Sequence, residues 1–297
     1  MTRMDRRNLR NGLLFAAPYL VGFAAFTLYP LIASIYYSLC QYNVIKPPVF
    51  IGLENFRTLF TEDPLFWKAL YNTLFFTAFS VPLGLCFSIG LAMLLNQKVR
   101  AMSVYRTVFF LPTIVPIVAS AVLWLWVLNP ESGLINGLIR QFLGVDGPGW
   151  IANERWSKPS LILMSLWGVG GAMVIFLAGL AEVPQSLYEV ADIDGAGRWA
   201  KFRHVTLPML TPTILFNLVM GLIGAFQYFT QVYVMTGGKG GPVDSTMLYA
   251  LYLYRNSFYY LRMGYASAMA WLLFMVILAA TLAVLASSKK WVHYHGE

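Results

Sequence analysis

The stretch Glu189-Val190-Ala191-Asp192-Ile193-Asp194-Gly195-Ala196 is followed by Phe202, Leu207-Pro208 and Pro212, and it is the strongly polar interval in the hydrophobic middle of the chain. Its reading depends on what flanks it. On either side lie apolar segments of membrane-spanning length, so a polar loop at this place is where a membrane protein would touch a soluble partner. Pro184 suits the first turn of a helix, where its missing amide is not needed, and Gln185 to Ile193 then forms one short helix. Leu187 and Val190, with Ala191 and Tyr188 adjoining, give it an apolar stripe. Asp194-Gly195 signals a turn, and a second short helix through Trp199, Phe202 and Val205 runs to Leu207-Pro208, where the proline restricts its predecessor. Three acids (Glu189, Asp192, Asp194) and three bases (Arg198, Lys201, Arg203) divide around the corner, a surface able to be specific without being catalytic. A wet loop offers no desolvated pocket to separate carboxylate pKa values, which disfavours acid–base catalysis; an ordinary interfacial loop resting on headgroups is the competing reading.

Outward from the loop, 58% of the 297 residues are hydrophobic and 11% are charged, the composition of a membrane protein. Six stretches, at about 12–38, 71–96, 106–129, 160–181, 212–235 and 264–288, reach the roughly 20 apolar residues that a helix needs to cross a bilayer. In lipid each backbone amide must find its partner within the segment, so the fold class is all-α with six transmembrane helices. The boundaries are a cytoplasmic segment 1–11, a membrane domain 12–288 with a cytoplasmic loop 182–211, and a tail 289–297. With both termini on one side, that side holds twelve of the 21 Lys and Arg (Arg3, Arg6, Arg7, Arg10, Lys98, Arg100, Arg106, Arg198, Lys201, Arg203, Lys289 and Lys290) in its shorter loops. The positive-inside rule makes both termini cytoplasmic. The net charge of +8 is therefore topology and contact with anionic lipid, not nucleic-acid binding. The first span is too long for a secretory signal and lacks a small-residue cleavage site, so it stays as an anchor. Cys40 and Cys86 make no disulfide framework, and His204, His293 and His295 lack a ligand set, so no metal is expected.

Polar residues inside a span face a cavity or a neighbouring helix. The fifth span supplies Asn217, Gln227, Tyr228, Thr230, Gln231 and Tyr233. On a continuous helix Gln227 and Gln231 share a face, Tyr228 lies beside them, and Gly224 makes room one turn earlier. Amides and hydroxyls beside aromatic rings suit a sugar; helix-to-helix hydrogen bonding is the plainer alternative. The fourth span adds Trp167 and Gly168, where closely spaced glycines let helices pack tightly or leave a hollow. Pro82, Pro112 and Pro116 are expected to shape bends.

The motif Glu189-Val190-Ala191-x-x-Asp194-Gly195-Ala196 with Phe202, Leu207-Pro208 and Pro212 resembles the EAA loop of inner-membrane permeases of binding-protein-dependent ABC importers, specifically the carbohydrate group similar to maltose, lactose and glycerol-3-phosphate permeases. The resemblance extends to Phe50-Ile51-Gly52-Leu53-Glu54-Asn55-Phe56, Trp67-Lys68-Ala69-Leu70-Tyr71-Asn72-Thr73, Gly237-Gly238-Lys239-Gly240-Gly241-Pro242 and Gly264-Tyr265-Ala266-Ser267-Ala268. Val190 departs from the second alanine usual there, and Lys239 interrupts a glycine run. The resemblance implies an ABC importer permease fold whose loop docks on a cytoplasmic ATPase dimer, with Glu189, Ala191, Asp194 and Gly195 carrying the coupling. It further implies a second, related permease subunit, an extracytoplasmic solute-binding protein, a carbohydrate substrate, and a place in a bacterial or archaeal inner membrane. It also implies substrate contacts on the helices flanking the loop, which brings Trp167 and Gly168 into the candidate pathway with Trp167 a sugar platform or a packing residue. The chain has no Gly-x-x-x-x-Gly-Lys-Ser/Thr loop, so ATP and Mg are expected on the partner ATPase and the chain is not expected to be an enzyme. Glycerol 3-phosphate or another small solute is the alternative substrate. An ion-coupled secondary transporter is a weaker rival, since the sequence has neither internal repeats nor a clearly central acid.

Overall fold

The computed structural model describes residues 3–97 and 99–293. Lys98 and His295, and the side chains of Arg3 and Arg6, lie outside the described residues. In chain order the helices are α1 Arg3–Phe23, α2 Tyr29–Ser38, α3 Glu54–Thr61, α4 Pro64–Leu95, α5 Met102–Ile114, α6 Ile117–Val127, α7 Leu134–Leu143, α8 Glu154–Trp167, α9 Gly170–Glu182, α10 Gln185–Ile193, α11 Arg198–Lys201, α12 Leu207–Met209, α13 Thr211–Phe226, α14 Thr230–Thr236, α15 Tyr249–Tyr254 and α16 Met263–Ser288. Wider helical turns at Ala24–Leu28, Phe202–Thr206 and Arg255–Tyr259 join some of them. Cys40–Gln41 and Val49–Phe50 pair as a short antiparallel ribbon.

Four helical stretches, Arg7–Ser38, Pro64–Leu95, Thr211–Thr236 and Met263–Ser288, are each long and apolar enough to cross a bilayer, and two bent pairs raise the number to as many as six. The spans expected at 106–129 and 160–181 are therefore not single rods. The first breaks between α5 and α6 at 98° and the second between α8 and α9 at 49°. Pro116 accounts for the first break: it pushes Val115 out of the helical region, to ψ 128. Pro82, by contrast, sits inside an uninterrupted 32-residue α4, and Pro112 inside α5. Gly170 opens α9 and lets it approach α5, since a Cβ there would lie 2.7 Å from the carbonyl oxygen of Phe109.

The chain divides into two units, 1–63 with 253–272, and 64–252 with 273–297. In the first, the Asn55 amide donates to the carbonyls of Ser38 (2.8 Å) and Cys40 (2.9 Å). Gly264 is there because a Cβ would run into the Cys40 carbonyl, and its amide donates to Tyr42 at 3.0 Å. The Tyr265 hydroxyl donates to Asp63. In the second unit, Asn72 donates from Nδ2 to the carbonyls of Asp244 (2.9 Å) and Met247 (3.1 Å), the Lys68 ammonium to that of Val243 (2.6 Å), and Tyr249 N–H to the Thr73 hydroxyl (2.8 Å). The glycine run at 237–242 and the Trp67–Thr73 stretch thus belong to one assembly, a strap held against the start of α4. A small core of Ala92, Leu95, Met173, Phe176, Leu180 and Leu210 joins α4, α9 and the segment before α13. Large apolar side chains elsewhere are turned outward, among them Phe15 and Phe26, as suits a lipid solvent.

Candidate functional site

At the polar loop, Gln185–Ile193 forms α10 as expected, with Pro184 at its N-cap (ψ 130°) rather than in its first turn, and the helix ends through a double closure. Ala196 N–H donates to the Ala191 carbonyl at 2.8 Å and Gly195 N–H to the Asp192 carbonyl at 3.1 Å. This is the Schellman pattern, with Ala191 and Ala196 as the small pair that flanks it. It requires a left-handed residue between them, and Gly195 has φ +73°. No atom lies within 4 Å of a Cβ built at Gly195, so backbone conformation alone selects glycine within this chain. Lys201 and Asp192 form an ion pair across the corner, and the Tyr188 and Thr206 hydroxyls share a hydrogen bond of 2.9 Å. Trp199 packs on Phe202 at 5.3 Å between ring centroids. These ties fix the angle between α10 and the helical stretch 198–209. Glu189, Val190 and Asp194 are exposed, as are Leu187, Ile193 (85%) and Trp199 (72%). The stripe anticipated at Leu187 and Val190 extends to Ile193 and faces outward from the chain.

The membrane candidates do not form one cluster. The fifth span is interrupted at 227–229, so Gln227 and Gln231 do not share a continuous helix face as expected. Gln227 closes α13, and Phe229, at φ −132° and ψ −60°, precedes α14. The physical reason lies in packing: the Tyr228 ring sits 4.5 Å from that of Phe76 on α4, and Phe229 packs on Tyr233 at 5.5 Å. Gln227, Gly224 and Gly168 are exposed, while Gln231 is half-buried. Trp167 meets Trp124 edge-on at 6.1 Å, beside the Gly168-Val169 bend.

Tyr228 does reach a cavity, of 190 Å³, among α4, α8–α9 and α13. Ser80, Ser88, Ser165 and Asn217 share its walls with Phe76. Ser88 and Ser165 donate to helix carbonyls at 2.7 Å, leaving oxygen lone pairs available. The Ser80 hydroxyl, in a residue only 7% exposed, has no hydrogen-bond partner, and neither has the nearby Thr77 hydroxyl. The volume holds roughly six waters at about 30 Å³ each. That falls below the few hundred Å³ of a complete small-molecule pocket. Sequence reasoning passed over the serines, yet Thr73, Thr77, Ser80, Gly84 and Ser88 recur every three or four residues, a small and polar stripe down α4.

Residues 84–292 match the model of the binding-protein-dependent transport system inner membrane component family. The chain is 41% identical over 298 residues to the probable ABC transporter permease protein YesP of Bacillus subtilis, covering 100% of this chain and 96% of that protein. It is 35% identical to the lactose transport system permease protein LacF of Rhizobium radiobacter over 90% of both chains. Its fold is similar to a chain in the crystal structure of a bacterial alginate ABC transporter in complex with an alginate pentasaccharide-bound periplasmic protein. There the TM-score is 0.82 at 27% identity, over 95% of this chain and 96% of that one.

Proposed function

The chain belongs to the binding-protein-dependent transport system inner membrane component family, an ABC transporter permease family, and from that premise we propose that it is one permease half of an ATP-driven sugar importer. In this reading it lies in a bacterial or archaeal inner membrane with both termini cytoplasmic, each bent helix pair serving as one of six crossings. A solute-binding protein delivers the sugar from outside, a second, related permease completes the pathway, and a cytoplasmic ATPase dimer holds ATP and Mg. Relatives named for lactose and arabinooligosaccharides, together with the alginate transporter, favour a disaccharide or oligosaccharide. A monosaccharide and then glycerol 3-phosphate follow.

The observation that carries the reading is the Gly195 corner, which presents Leu187, Val190, Ile193 and Trp199 as an exposed apolar face among charged residues. Such a face fits a groove on a soluble protein. Glu189 and Asp194 would set its orientation through charge, while Ala191 and Gly195 hold its shape. Closure of the ATPase would then move the corner as a body and, through Leu210 in the small core, reach α4 and α9. Trp167, Gly168, Gly224, Gln227, Tyr228 and Gln231 remain the proposed solute path, now with Ser80 beside Tyr228. Gly224 and Gln227, exposed on this chain, would meet the opposing permease or the solute.

The test is Gly195→Asp in the assembled importer reconstituted with its binding protein. The substitution strains a left-handed position by about 1–2 kcal/mol and adds an acid to the docking face. Membrane insertion is expected to persist while substrate-stimulated ATP hydrolysis is lost; stimulation at the unmodified level would remove the coupling role.

A further inference from the structure

Helix α7 lies outside the pathway just described. Taking about 100° per residue, its surface divides into three sectors. Ile135, Asn136 and Ile139 turn toward the protein, Asn136 being buried and the two isoleucines half-buried. Gly137, Arg140 and Gln141 make a polar edge. Between these runs a stripe of Leu134, Leu138 and Phe142, all exposed, continued past the helix end by exposed Val145. The three helical residues are each four apart, so on α7 the stripe is unbroken over about 12 Å.

Three features of the surroundings bear on what covers it. The helix is held rigidly. The Asn136 amide donates to the carbonyls of Pro130 (2.9 Å) and Pro148 (3.2 Å), and its oxygen accepts from the Trp150 indole (2.7 Å). Arg140 reaches the Asp146 carboxylate at 3.0 Å, so the charge nearest the stripe is neutralised at its polar edge. Aromatic anchors crowd the same end: Trp126 and Trp156 are exposed, and Trp156 meets Trp150 edge-on at 5.6 Å. Indoles gather in this way at the level of lipid headgroups. On α6, which contacts α7, Val122 and Leu123 are exposed as well. Packing between membrane helices prefers small residues that bring backbones together, and the stripe consists of large ones.

We propose that α7 is an interfacial helix whose Leu134, Leu138 and Phe142 side chains sink into the headgroup boundary of the outer leaflet, with Arg140 and Gln141 toward water. The lipid contact stands on the geometry of this chain; its assignment to the outer leaflet rests on the proposed orientation of the termini.

Spin labels separate the two. In a Cys86→Ala background, with buried Cys40 verified to be unlabelled, single cysteines replace Leu134, Gly137, Leu138, Gln141 and Phe142 in the assembled importer. A cysteine is tolerated at Gly137, where a Cβ meets nothing within 4 Å. The complex is placed in vesicles of phosphatidylethanolamine and phosphatidylglycerol, with sugar uptake as the check that it is folded. The ratio of collision with oxygen to collision with a water-soluble nickel chelate is expected to be several-fold higher at 134, 138 and 142 than at 137 and 141. Equally low ratios at all five positions would overturn the proposal by placing α7 in water, and equally high ones by immersing the whole helix in hydrocarbon. Low collision with both reagents at 138 would overturn it in favour of a protein neighbour. A membrane-impermeant maleimide applied to intact spheroplasts should label Gln141→Cys; protection would move the helix to the inner leaflet and contradict the proposed orientation, leaving the lipid contact itself intact.

Discussion

Ser80 and Gly195 show how differently two small residues can matter. Gly195 meets no neighbour but has a backbone that other residues resist, whereas Ser80 has ordinary backbone and a hydroxyl left unpaired. An unsatisfied buried hydroxyl costs about 1–3 kcal/mol. Ser80→Ala should therefore leave the thermal midpoint of the purified complex unchanged or raise it. Uptake should nonetheless fall, because a sugar hydroxyl loses its partner. A lower midpoint with uptake falling only in proportion to intact complex would return Ser80 to packing. The corner was legible in the residues themselves, since Asp194-Gly195 signals a turn; its closure by the Ala196 amide on the Ala191 carbonyl is a backbone feature that only the structure displays. The cavity was legible only in part. Tyr228 stands out as a polar ring in an apolar run, but its turn inward depends on Phe76, some 150 positions away in sequence, which no local pattern announces.

At the scale of elements, length and hydropathy identify where the spans lie, and Pro116 marks one break. The bend at Gly168-Val169 and the interruption at 227–229 leave weaker traces. Glycine permits a bend without requiring it, and Gln227, Tyr228 and Phe229 are acceptable helix residues whose conformation is decided by rings on other elements. The strap between α14 and α15 illustrates the converse, because its glycine run is plain in the sequence but its fastening is not. Asn72 holds the Asp244 and Met247 carbonyls and accepts from Lys158 at 3.0 Å. Asn72→Leu would strand all three polar groups, with a loss of about 1–3 kcal/mol. Hydrogen exchange at amides 243–249 is expected to accelerate while the amides of α13 keep their protection; unchanged exchange in the strap would show that Lys68 and Thr73 suffice to hold it.

For the whole molecule, the composition makes a membrane protein readable before any helix is placed, while the excess of basic residues in short loops carries the proposed orientation. They do not reveal the second permease that the proposed pathway requires. The purified chain alone should give no saturable binding in a titration with fluorescent ATP, since it has no phosphate-cradling loop; saturation would require a nucleotide site of a kind the sequence lacks. The 190 Å³ cavity leads to the same incompleteness from the solute side. The outward Ile193 and Trp199 carry a further consequence for the living cell. A chain made in excess of its ATPase would display at the cytoplasmic surface the kind of apolar patch that quality-control proteases recognise. The half-life of the orphan chain should then depend on how closely its synthesis is matched to that of its proposed partners, and the corner proposed to transmit force would serve as the mark by which an unassembled subunit is removed.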